Sequence, residues 1–308
     1  MSLAAPVALT RTIRLSEPLN LRLTLGPLWR GHGDPTMRMT PDGVWRATRT
    51  PEGPATIRFA VGPDRLDVAA WGPGADWAIE TGGQVAGLED DPSELRTDHP
   101  LIRELARRQR GLRLPRTMAV MEALIPAIAE QKVTGGEAHR ALRRLIQRYG
   151  EPAPGPGGLP GMRLLPEPAV LARLPYFAFH PLGFEKRRAD TIRIAAGQAT
   201  ALEATSALSP TEGQARLKAL PGVGSWTAAE VAVRAWGDPD AVSVGDFHLP
   251  HVVSWAFTGE RRGTDERMLE LLEPFRGQRG RVIRLLEVSG IGPPRRGPRF
   301  GGRSIDGI

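Results

Sequence analysis

The chain has 308 residues, 41% of them hydrophobic, enough to bury one large core or two ordinary ones. Its 41 Lys and Arg against 34 Asp and Glu leave a formal charge of +7, a balance suited to a polyanionic partner. There is no cysteine, which excludes a disulfide framework and any thiolate-held metal or iron–sulfur cluster.

Met1 to Pro6 shows no basic flank followed by an apolar run, and no later stretch is long and apolar enough to span a bilayer. A soluble, cytoplasmic monomer without a cofactor is the expectation. From Ile13 to about Leu88 the pattern is strand-like. Leu21-Arg22-Leu23-Thr24-Leu25 alternates, as do Trp45–Thr48, Thr56–Val61 and Leu66–Trp71, with turn residues between them at Pro41-Asp42-Gly43, Pro51-Glu52-Gly53-Pro54 and Gly62-Pro63-Asp64. These runs predict an antiparallel sheet domain over residues 1–88. A helical junction over 89–116 follows, opened by Asp91-Pro92-Ser93-Glu94-Leu95 and continued by Pro100–Leu105.

Residues 117–288 read as an all-helical domain. Met121, Leu124, Ile125 and Ile128 make one apolar stripe; Ala138, Ala141, Leu142, Leu145 and Ile146 make another. Glu151 to Pro168 is rich in Pro and Gly and reads as a loop. Further helices are expected over Lys186–Ala199, Asp265–Leu272 and Gly280–Leu286. The Gly- and Arg-rich residues 289–308 read as a disordered basic tail.

The densest signal lies between Leu220 and Asp246. A helix over Thr211–Ala219 with Thr211 as its cap precedes Leu220-Pro221-Gly222-Val223-Gly224, and Ser225 is placed to cap a second helix carrying Ala228, Val231, Ala232 and Ala235. Gly222 and Gly224 permit positive φ and close backbone approach, and Pro221 stiffens the entry. Free N–H groups at the second helix would suit a phosphate, although an ordinary packed αα-hairpin has the same pattern. Asp246 follows Val244-Gly245 and precedes an apolar helical run through Val252, Val253 and Trp255, so it could serve as a fixed carboxylate or as a helix cap. Asp238 and Asp240 sit beside Pro239 as turn formers. His180, His248 and His251 lack carboxylate or thiol partners arranged for a catalytic metal.

Taken with Gly87–Pro92, His99-Pro100-Leu101, Gly111–Thr117, Glu122–Thr134 and Pro274–Arg279, this segment resembles the helix-hairpin-helix DNA glycosylase superfamily, specifically the 3-methyladenine DNA glycosylase II group. The resemblance implies an α+β fold, with an N-terminal antiparallel sheet domain like the TATA-binding protein followed by the helix-hairpin-helix domain. It implies monofunctional hydrolysis of the N-glycosidic bond of alkylated bases, 3-methyladenine and 7-methylguanine, in damaged double-stranded DNA, as in base excision repair. Such an enzyme everts a nucleotide and fills the gap it leaves.

By this resemblance Asp246 is the catalytic carboxylate that stabilises positive charge on the sugar. Gly222, Val223, Gly224, Ser225 and Thr227 form the DNA grip, with a monovalent cation on the carbonyls of Leu220 and Val223. Gln131 and Lys132 occupy the wedge turn, Lys132 standing where relatives often carry an apolar side chain. Trp226 replaces the lysine of lyase-capable members, which predicts water as nucleophile and stacking of the base on the indole. Glu230 stands one turn on, where relatives often carry an aromatic. Tyr176, Phe177, Phe179 and Trp255 are the substitute aromatics for the base pocket, unless they are core. The other readings are a glycosylase for deaminated purines such as hypoxanthine, with Glu230 accepting from the purine edge, and a non-catalytic damaged-DNA-binding protein.

Overall fold

The computed structural model describes residues 8–156 and 161–294. The expected tail falls on residues 289–308, of which 295–308 lie outside the described residues. The chain begins with β1 (Leu9–Arg14), an exposed edge strand, followed by α1 (Leu21–Leu25). Four antiparallel strands come next: β2 (Met37–Thr40), β3 (Gly43–Thr50), β4 (Gly53–Val61) and β5 (Arg65–Trp71). Helix α2 (Ala75–Val85) completes this half. The strands form one antiparallel sheet in the order β1-β5-β4-β3-β2.

Leu21–Leu25 is a helix, not the strand its alternation predicts. Asn20 caps it by accepting the Leu23 N–H at 3.1 Å, and Leu21, Thr24 and Leu25 then share one buried face at helical spacing. That face and α2 pack on Val44, Ile57, Phe59, Leu66 and Val68 of the sheet. Gly82 lets α2 lie close, because a Cβ there would meet Val68 at 2.8 Å. On the opposite face Trp45 and Trp71 stack at 5.3 Å between ring centroids, against Met162 and Leu164.

The helical half comprises α3 (Pro100–Arg108), α4 (Val120–Ala129), α5 (Gly135–Tyr149), α6 (Pro168–Arg173), α7 (Tyr176–Phe179), α8 (Lys186–Gly197), α9 (Ala199–Glu203), α10 (Pro210–Lys218), α11 (Ser225–Val231), α12 (Leu249–Thr258), α13 (Asp265–Leu272) and α14 (Arg279–Ser289). The Asp91–Leu95 segment is a single 3₁₀ turn over Pro92–Glu94, capped by Asp91. Apolar α4 is buried on almost every side and sits at the centre of the helical core.

Three partly buried carboxylates join these parts. Glu122 of α4 accepts from the Arg46 guanidinium at 2.7 Å, the Thr48 hydroxyl at 2.9 Å and the Arg49 N–H at 2.7 Å, tying the sheet to the helices. Asp90 takes a two-pronged ion pair from Arg281 of α14 at 2.5 and 3.0 Å, and also accepts the Leu114 N–H. Glu203 accepts the N–H groups of Val120 and Met121 at 2.8 and 3.0 Å, satisfying the start of α4 from a distance.

Burial, aided by the nearby Glu122 carboxylate, raises the pKa of Glu203 to about 7 despite those two N–H donors. A carboxyl whose folded pKa exceeds its unfolded value contributes most below the unfolded pKa, near 4.5, and the contribution is lost as pH rises to about 7. Glu203→Gln should therefore flatten the stability profile between pH 5 and 8, where the native chain should lose up to about 3 kcal/mol. Urea denaturation across that window checks it; parallel profiles for the two proteins would refute it.

Candidate active site

Helix α10 is capped by Ser209, one residue before Pro210, and not by Thr211: Ser209 Oγ accepts from the Glu212 N–H at 3.3 Å while the Glu212 carboxylate returns to the Ser209 N–H at 3.2 Å. The chain then turns tightly, with the Val223 N–H donating to the Leu220 carbonyl at 3.1 Å. Gly222 has φ +87°, and a Cβ there would fall 2.2 Å from Thr191 Oγ1 of α8. Gly224 differs: its backbone is extended at φ −101°, and the space where its Cβ would stand is open.

Ser225 is the first helical residue and makes no side-chain cap. It lies with Gly224 on the exposed side of the turn, and neither N–H has an acceptor among the described residues. Val223 and Thr227 point inward and are buried. Gln131 Nε2 donates to the Gly222 carbonyl at 3.0 Å and to Thr227 Oγ1 at 2.9 Å. Gln131 and Thr227 thus brace the turn from within instead of projecting from it. Lys132, beside this brace, is exposed and holds φ +55°, a left-handed conformation uncommon for a side-chain-bearing residue.

Helix α11 runs on into a π-helical turn over Ala232–Trp236. The chain then crosses Asp238 and Asp240, whose turn is fixed by the Asp240 N–H on Asp238 Oδ1 at 2.9 Å and by Arg279 on Asp240, and arrives at Ser243 to Asp246. Gly245 takes φ +93°, with its N–H on Asp265 at 3.0 Å. The half-buried Asp246 is held through both oxygens. Oδ1 accepts the N–H groups of His248 and Leu249 at 2.7 and 2.9 Å where α12 begins, and Oδ2 accepts the Trp226 indole N–H at 2.9 Å. The carboxylate therefore does the capping work and is also aimed at the face of α11 that adjoins the hairpin.

Glu230, one turn beyond Trp226, has both oxygens engaged. One accepts the Ser243 hydroxyl at 2.5 Å, the other the Arg234 guanidinium at 2.6 Å. Burial opposes the charge of Arg234, but Glu230 and Glu130 outweigh it and hold its pKa above the usual value. Successive turns of α11 thus hold the same loop, Trp226 through Asp246 and Glu230 through Ser243.

Among the described contacts, the other aromatics proposed for the pocket are not brought to this carboxylate. Phe179 is fully buried and packs edge-on against Phe184 at 5.9 Å in the helical core. Tyr176 packs at the edge of that core with the Lys186 ammonium over its ring. Trp255 is half-buried on α12 and makes no ring contact among the described residues. Phe177 is 73% exposed. His251 Nδ1 accepts the Gly263 N–H at 3.1 Å.

A family model described as "HhH-GPD superfamily base excision DNA repair protein" matches residues 125–276, the stretch that holds the hairpin, Trp226 and Asp246. Over that stretch, just under half of its length, the chain is similar to the HhH-GPD superfamily. It is 29% identical over 216 residues to a Mycobacterium tuberculosis protein named as a probable bifunctional transcriptional activator/DNA repair enzyme AlkA, covering 68% of this chain and 43% of that protein. It is 30% identical over 170 residues to DNA-3-methyladenine glycosylase 2 of Escherichia coli, covering 54% of this chain and 57% of the relative. The chain thus spans about half the length of these relatives. Its fold is that of a 3-methyladenine DNA-glycosylase from Archaeoglobus fulgidus, at a TM-score of 0.75 and 18% identity, over 91% of this chain and 98% of the other.

The geometry separates the two glycines. Gly222→Ala should cost about 1–3 kcal/mol or more through strain and collision with Thr191, whereas Gly224→Ala should leave stability within about 0.5 kcal/mol. Thermal denaturation of both variants tests this; equal losses would show that the turn is not held as described.

Proposed function

We propose that the chain is a monofunctional DNA glycosylase that hydrolyses the N-glycosidic bond of alkylated purines in duplex DNA. The observation that carries this reading is the Asp246 carboxylate, fixed by Trp226 and by the start of α12 beside the braced glycine turn. Cleavage of the glycosidic bond leaves the sugar electron-poor at C1′, and a carboxylate already oriented there stabilises that charge without reorganising. The exposed N–H groups of Gly224 and Ser225 would hold a strand phosphate, and the open space over Gly224 would let the backbone come near.

No lysine stands at position 226, so the reading assigns attack to water and predicts an abasic product without strand cleavage. The Trp226 ring would stack on the everted base while its N–H holds Asp246. Glu230 carries no purine-edge role in this scheme, because Ser243 and Arg234 occupy its oxygens; that removes the feature that favoured deaminated purines.

Single-turnover excision from a duplex containing 7-methylguanine tests the proposal. Asp246→Asn keeps an oxygen for the α12 bonds but removes the charge, and should lower the rate by about a hundredfold to a thousandfold. Trp226→Phe keeps a stacking ring and removes the donor. It should cost roughly tenfold to a hundredfold on the native background and almost nothing on the Asp246→Asn background. Full excision by Asp246→Asn, or a borohydride-trapped covalent DNA adduct, would contradict the scheme.

A further inference from the structure

One large apolar side chain beside Asp246 has no partner that buries it among the described residues. Phe247 is 78% exposed, although the residues on either side of it are held firmly. Asp246 is fixed at both oxygens and through its own N–H, which donates to the Ser243 carbonyl at 3.1 Å. The His248 N–H is tied to Asp246 at 2.7 Å. The His248 and His251 rings lie edge-on to the Phe247 ring at 5.0 and 6.2 Å and leave most of the phenyl open to solvent. Isolated exposed apolar residues are common. The position of this one distinguishes it, since it follows the carboxylate directly. The turn beside the hairpin offers the charged, exposed Lys132 and no comparable apolar side chain.

We infer that Phe247 is the apolar side chain that enters the DNA stack beside the everted nucleotide, leaving Lys132 to contact phosphate. Phenylalanine is among the side chains that wedge between base steps, and an aromatic face stacks on any base without sequence preference. The ring would enter next to the strand position held over Asp246, so opening of the stack and placement of C1′ would be coupled by a single peptide bond. The inference rests on the glycosylase reading above but makes no use of bond cleavage.

The test uses the full chain and a duplex with a tetrahydrofuran abasic analogue flanked by 2-aminopurine, whose fluorescence rises on unstacking. Phe247→Ala should weaken binding roughly tenfold to a hundredfold and abolish the fluorescence rise, with Phe247→Trp restoring both. Lys132→Ala should leave the rise intact and lower the salt dependence of binding by about one phosphate contact. Being exposed, position 247 should tolerate these changes with an unaltered melting temperature. A wild-type signal from Phe247→Ala, loss of the signal in Lys132→Ala, or no signal from the wild type would overturn the inference. Because the analogue carries no base, an inactive wild type that still shows the Phe247-dependent rise would sink the glycosylase reading alone.

Discussion

A carboxylate can stabilise a short-lived cation only if it is already in place when the charge forms, and in the proposed function that constraint falls on Asp246. Its side chain is the meeting point of two elements: the indole of α11 holds one oxygen and the start of α12 holds the other. The loop that delivers it is gripped a second time by Glu230 through Ser243 and again by Asp265 through Gly245. Trp226 and Glu230 are four residues apart, so a single helical face supplies both grips. The hairpin that leads into this short helix is locked by Gln131, which places the turn, the indole and the carboxylate in one continuous sequence of contacts.

This local order is carried by the larger frame. Glu122 fastens the sheet to the central helix α4, and the nearly dry Asp90–Arg281 pair fastens the junction to α14. Buried pairs of this kind add little net stability compared with apolar replacements, but breaking one by removing a single partner is costly. Their value here is in geometry: they fix how the sheet half and the helical half meet. Glu203, largely buried at the end of α9, makes the anchoring of the start of α4 sensitive to pH.

The sequence made some of this visible and hid the rest for physical reasons. Alternating residue types between turn residues exposed β3, β4 and β5, although only β5 alternates clearly in burial and β3 is covered on both faces, whereas α1 alternated by coincidence and is helical because Asn20 caps it and Leu21 and Leu25 face the sheet. Helix α2 escaped notice because Gly82 and Gly83 weaken its pattern, and Gly82 is needed for close approach to Val68. At the site, the glycine turn, Trp226 and Asp246 could be picked out because their residue types are chemically uncommon in that order. The inward braces could not. Nothing in the residue string says that Gln131 and Thr227 face each other, or that Glu230 is consumed by Ser243 and Arg234. Burial likewise decides that Phe179 is core while Phe247 is open to solvent, and neither follows from aromatic character.

The most direct test is a crystal structure with a duplex carrying a pyrrolidine abasic nucleotide, whose protonated ring nitrogen imitates the charge that develops at C1′. That nucleotide should be everted, with its cationic nitrogen within hydrogen-bonding distance of Asp246 and the Trp226–Asp246 bond intact. A ring nitrogen paired with another group, or an Asp246 carboxylate directed away from the everted sugar, would contradict it.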